Sequence, residues 1–177
     1  MKFSLSAFCS LAALATVTRA VNMTNYAPSP GVEERFKEFV RFFYYTSESR
    51  SSAVSYKSFW PEDGRMILAG HQFNGTAAIL AAKQRLLPPG GDKRWWHLIR
   101  GAVVKGETVA DKTYAVDVVI QTTYLGGNCS EAYGNAAFTI LKDDTGLPRL
   151  EAYSQSLSLY NLTVTPTFSP TSFPCTS

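Results

Sequence analysis

Histidine and cysteine are scarce in this chain of 177 residues. There are two histidines, His71 and His97, far apart in sequence. A zinc-type site draws three or four closely spaced ligands, so no metal is predicted. Charge is also sparse. Charged residues make up 18% of the chain, with a formal net charge of +3 and no basic stripe. That argues against a nucleic-acid partner. No apolar run reaches the ~20 residues of a membrane-spanning helix. The chain lacks a Gly-x-Ser-x-Gly elbow, a phosphate loop and a dinucleotide fingerprint. Nucleotide use and Ser-His-Asp hydrolysis are therefore not expected, and no cofactor is predicted.

The N-terminus does carry a signal. Lys2, an apolar middle and a small residue at Ala20 read as a secretory signal peptide over residues 1–20. Its removal takes Lys2, Arg19 and Cys9 away. With 45% hydrophobic residues over the full chain, the composition supports one packed domain of a soluble, extracellular protein. Two cysteines then remain, Cys129 and Cys175. An oxidising compartment favours their pairing as a disulfide, with free thiols or intermolecular links as the alternatives. Secretion also gives meaning to the Asn-x-Ser/Thr triplets at Asn22, Asn74, Asn128 and Asn161, which read as N-glycosylation sites.

Residues 21–30 read as a polar N-terminal arm. Ser29-Pro30 offers an N-cap and first helical position. Val32, Phe36, Phe39, Val40 and Phe43 then recur at helical spacing. Thr46 to Ser52 reads as a polar link. A short helix is predicted over 53–60, stopping before Pro61. Asp63-Gly64 marks a turn, with the Asp63 side chain as its staple. Residues 65–69 read as a short strand. A third helix is predicted over 77–87, ended by Pro88-Pro89-Gly90-Gly91. The period then becomes alternating, with strands predicted over 95–104, 112–124, 131–141 and 150–160. The last segment, 161–177, is a Ser/Thr/Pro-rich tail, extended or disordered and tied back by Cys175. Helices first and long antiparallel strands later is the α+β pattern.

Three segments carry a resemblance. The first is Phe59-Trp60-Pro61-Glu62-Asp63-Gly64 followed by Gly70-His71-Gln72-Phe73-Asn74-Gly75-Thr76-Ala77-Ala78-Ile79. The second is Trp96-His97-Leu98-Ile99 with the long strand from Tyr114 to Tyr124. The third is Leu150-Glu151-Ala152-Tyr153-Ser154-Gln155. In this order they resemble the nuclear transport factor 2-like superfamily, in its SnoaL-like and scytalone-dehydratase-like branch, over about residues 31–160. The resemblance implies a strongly bent antiparallel sheet wrapped around N-terminal helices, a cystatin-like cone with an apolar pocket. It also implies a homodimer through the sheet. Dehydratase members place a histidine at the strand position matched by His97. Their second histidine is matched by Thr122 or Thr123, and the partner region of the first helix reads Phe43-Tyr44-Tyr45-Thr46.

His97 is the leading candidate for chemistry, since a histidine titrates near neutral pH and can carry a proton. The alternative is a core histidine with a satisfied hydrogen bond. A two-residue period sets Trp95 and Ile99 on its face. Tyr45 is the candidate phenol donor and Asp117 the candidate carboxylate, although Asp117 shares the less apolar face of its strand. Phe43, Trp60, Trp95, Tyr124 and Tyr153 are the candidate ligand-pocket residues. His71 reads as a surface residue.

Two functions remain open at this point. One is a cofactor-free isomerase, cyclase or dehydratase acting on a small apolar or aromatic molecule by proton transfer. The other is a non-catalytic secreted protein that binds a small ligand or a host surface.

Overall fold

A computed structural model describes residues 21–165 and 173–175. Residues 1–20, where a signal peptide is predicted, and residues 166–172 and 176–177 of the tail lie outside these described residues. The elements in chain order are β1 (Ala27–Pro28), α1 (Glu34–Glu48), α2 (Ala53–Lys57), β2 (Arg65–Leu68), β3 (His71–Asn74) and α3 (Gly75–Leu86). They are followed by β4 (Arg94–Glu107), β5 (Asp111–Thr123), β6 (Cys129–Leu141) and β7 (Leu157–Val164). The seven strands form one curled, unclosed sheet in the order β1-β4-β5-β6-β7-β2-β3. This is the expected α+β architecture. Its long central strands pair antiparallel, and the flanking pairs β1–β4 and β2–β7 are parallel.

The phenylalanine stripe of α1 lies in the concavity of the sheet, as expected, because Phe36, Phe39, Val40 and Phe43 fall on one side of a 3.6-residue turn. The Phe36 ring stacks on Tyr114 of β5 with centroids 4.0 Å apart. Phe43 meets Phe138 of β6 at 5.2 Å and Tyr160 of β7 at 5.0 Å. The curl is assisted by a register shift in β4 between Ile99 and Ala102, since a bulge bends and twists a strand locally.

Several boundaries differ from the sequence expectation. α1 begins at Glu34, not Pro30, because Gly31 takes a left-handed φ of +88°. It runs on to Glu48, so the predicted polar link is partly helix. The second helix is shorter than predicted and ends at Lys57. The arm is not merely polar coil. Asn22 bridges to β4, and Ala27–Pro28 pairs with Gly101 and Ala102. Ala69 and Gly70, both at positive φ, turn β2 into β3, a strand absent from the sequence reading. The final strand is Leu157–Val164 rather than 150–160. Tyr153 and Gln155 sit at φ of 66° and 53°, which is incompatible with an extended strand.

Cys129, at the start of β6, is at disulfide distance from Cys175. The segment around Cys175 lies on the outer face of the sheet. There the Gln121 side-chain amide donates to the Pro174 carbonyl, and the Phe173 N–H donates to Glu131.

Candidate functional site

The curl leaves a cavity of about 190 Å³ between α1, α3 and the inner face of the sheet. The strand period decides which side chains reach it. Trp95 and His97 of β4, Ile120 of β5, and Tyr160, Leu162 and Val164 of β7 all point inward. From the helices come Phe43, Tyr44 and Ser47 of α1 and Lys83 and Leu86 of α3. Leu86 is also exposed, at 38%, and so stands at the opening.

His97 is only 4% exposed and is held on three sides. Its Nδ1 lies 3.0 Å from Glu48 Oε1, and its backbone N–H donates to the same oxygen at 2.9 Å. Its carbonyl accepts from the Asn22 N–H at 2.9 Å. The Tyr44 ring lies against the imidazole with centroids 4.5 Å apart. A carboxylate can only accept, so the Glu48 contact assigns a proton to Nδ1. In the neutral ring Nε2 then keeps its lone pair. A histidine so oriented can take a proton from a bound molecule and return it, while Glu48 stabilises the cation formed in between.

Three phenols also line the cavity. The Tyr44 and Tyr160 hydroxyls are 3.3 Å apart, and the Tyr56 hydroxyl donates to the Met66 sulfur at 3.5 Å. Burial pushes all three phenols well above their ordinary pKa. They remain neutral donors. Among the described residues no cluster of three or more His, Cys, Asp or Glu suits a metal ion.

No protein-family model and no curated protein matches the sequence. Solved structures do match. One is a scytalone dehydratase-like protein of Novosphingobium aromaticivorans, with 12% identity and a TM-score of 0.61 over 80% of this chain and 89% of that one. Another is the hexachlorocyclohexane dehydrochlorinase LinA-type3 of Novosphingobium barchaimii, with 12% identity and a TM-score of 0.59 over 80% and 94%. A third is nuclear transport factor 2 of Cryptosporidium parvum, with 13% identity and a TM-score of 0.56 over 77% and 97%. This chain has the nuclear transport factor 2-like fold.

Within the nuclear transport factor 2-like cone, the candidates from sequence separate cleanly. His97, Phe43 and Trp95 line the cavity. Trp60 does not; it is buried behind Phe43, with ring centroids 6.1 Å apart, and its indole N–H has no hydrogen-bond partner among the described residues. Tyr45 is 48% exposed and points away, because successive helical residues are rotated by ~100°. Its neighbour Tyr44 is the inward phenol. Asp117 is exposed on the outer face and accepts from the Asn135 amide at 2.8 Å. Tyr124 and Tyr153 are exposed, at 38% and 40%, and lie outside the cavity. Asp63 and His71 are exposed in the turn and edge hairpin. Of the sequons, Asn74 and Asn128 are exposed, while Asn22 and Asn161 are half-buried.

Two groups escape the sequence reading: Glu48, which holds the cavity histidine, and Lys83, which lines the cavity. Glu48 lay beyond the predicted end of α1. Lys83 falls within the predicted helix 77–87, where the sequence marks no chemistry. Both fall four residues after an inward-facing residue, Tyr44 and Ile79, and that spacing was the available signal.

Proposed function

We propose that this protein is a secreted, cofactor-independent enzyme that moves a proton on a small, largely apolar molecule, as an isomerase, cyclase or dehydratase. The observation that carries the reading is His97, buried in the wall of an apolar cavity and hydrogen-bonded to Glu48. His97 acts as base and then as acid, Glu48 orients it, and the one proton of the Tyr44–Tyr160 hydroxyl pair not used between them is donated to an oxygen of the substrate. Structural neighbours described as a dehydratase and a dehydrochlorinase lend support at the level of fold. Secretion and glycosylation at the exposed sequons fit the disulfide-distance cysteine pair. A second copy would dock on the outer sheet face beyond the 173–175 segment.

The test uses molecules that co-purify with the secreted protein, incubated with it in D₂O and followed by mass spectrometry. The native protein should catalyse deuterium incorporation or conversion, and His97→Ala should slow it by roughly 10²–10⁴-fold with the fold retained. Tight binding with no exchange, unchanged by His97→Ala, would favour the alternative of a non-catalytic binding protein. The nearly uniform apolar lining around a single acid–base pair is the feature that supports that alternative.

A further inference from the structure

Lys83 is the cavity residue with no place in the proton-transfer scheme. It sits on α3, whose inward row Ile79, Ala82 and Lys83 follows helical spacing, and it is 4% exposed. It shares the cavity wall with Tyr56, Met66 and Leu68. The ammonium donates to the Ser49 carbonyl at 2.6 Å and lies 5.4 Å from the centre of the Tyr56 ring. An ammonium has three N–H donors. Among the described residues Ser49 supplies its only acceptor, and no carboxylate is within ion-pair distance.

A buried cation without a counter-charge is costly, because the apolar wall replaces water and returns little. The Ser49 carbonyl and the Tyr56 ring offset part of this cost. Burial also draws the Lys83 pKa below its ordinary value. Lys83 lines the cavity, and two of its three N–H donors have no protein acceptor among the described residues. A ligand carboxylate placed there would supply both the missing acceptors and the missing charge in a charge-assisted contact.

We infer that Lys83 is an anion-recognition group and that the cavity prefers small apolar molecules bearing one carboxylate. The rest of the wall suits a single ring or short chain, since about 190 Å³ is below the ~300–1,000 Å³ of drug-sized pockets. This inference rests on the cavity being a ligand site, as proposed above, but not on His97 being catalytic.

The probes are phenylacetate and its neutral counterpart 2-phenylethanol, titrated into the folded, disulfide-bonded protein by NMR or calorimetry. Phenylacetate should bind at least tenfold more tightly. Lys83→Met, which keeps the length and the apolar stem, should abolish that preference while leaving 2-phenylethanol binding intact. Lys83→Arg should retain it, which separates loss of charge from loss of packing. In protein labelled at lysine Cε, the Lys83 pKa should rise on adding phenylacetate and not on adding the alcohol. Equal binding of the two probes, no binding of either at millimolar concentration, or a preference that survives Lys83→Met would each overturn the inference. His97→Ala should keep the acid preference. A native protein with the preference but no proton exchange refutes the enzyme reading alone, and exchange without the preference refutes this inference alone.

Discussion

At the scale of residues, the site depends on one oxygen. Glu48 Oε1 accepts from both the backbone and the ring of His97. Two different losses follow from removing it. Glu48→Gln keeps an acceptor in place and removes the charge that would stabilise an imidazolium. Proton exchange should then fall by roughly 10²-fold with little change in melting temperature. Glu48→Ala also leaves the His97 backbone N–H without that acceptor, which costs about 1–3 kcal/mol. Exchange assays beside thermal melts distinguish the two variants, and equal activity of Glu48→Gln and native protein would remove Glu48 from the mechanism. His97 is legible from its match to the strand histidine of the dehydratase-like relatives, while the two-residue period sets only which neighbours share its face. Glu48 is not legible, because Thr46 and Ser47 look like the end of a helix. Their hydroxyls instead bond back to the Phe43 carbonyl at 2.9 and 2.8 Å, which lets polar residues stay buried in a continuing helix. Tyr44 and Tyr45 were indistinguishable by type, and only the turn angle of the helix separates the inward phenol from the exposed one.

At the scale of elements, α1 is pinned at both ends, by Glu48 near the cavity and by Glu33 at its start. Glu33 accepts from Lys112 at 2.7 Å and from Tyr114 at 2.6 Å, joining the helix start to β5. Burial alone would raise the Glu33 pKa, but the Lys112 and Tyr114 hydrogen bonds overcome it and hold the carboxyl below its ordinary value. A depressed carboxyl stabilises the fold above its unfolded-state pKa, and that contribution is lost as pH falls through the folded value. The melting temperature should therefore drop on acidification below the ordinary carboxylate range. Glu33→Gln should flatten that drop, whereas an unchanged acid limb would mean that Glu33 contributes nothing to it. The same end of α1 shows where sequence reading slipped. Pro30 is a sound helix-start signal, but Gly31 in a left-handed conformation delays the helix to Glu34. The long strands β4, β5 and β6 were readable from alternation. β1, β3 and the true start of β7 were not, because two-to-four-residue strands carry too few alternations and positive-φ residues at Tyr153 and Gln155 have no type signature.

At the scale of the whole molecule, the sheet has two faces with separate duties. The inner face holds the cavity. The outer face carries buried Leu98, Val119, Gln121 and Glu131, with Phe173 and Pro174 hydrogen-bonded to Gln121 and Glu131. Cys129–Cys175 anchors that segment and closes a loop of 46 residues. In the chain-entropy model this contributes roughly 4 kcal/mol. For a domain of this size that corresponds to roughly 10 °C in melting temperature. The Cys129→Ala/Cys175→Ala double variant should melt lower by about that amount, and reductant should lower the native protein to the same value. The cavity lies on the opposite face, so both reduced and double-variant protein should keep native proton exchange and ligand binding well below their melting temperature. Thermal unfolding with and without reductant, paired with the exchange assay at low temperature, checks both parts. If reduction abolished ligand binding while the protein remained folded, the two faces would be coupled through β5, whose Ile120 faces the cavity and whose Gln121 faces the C-terminal segment.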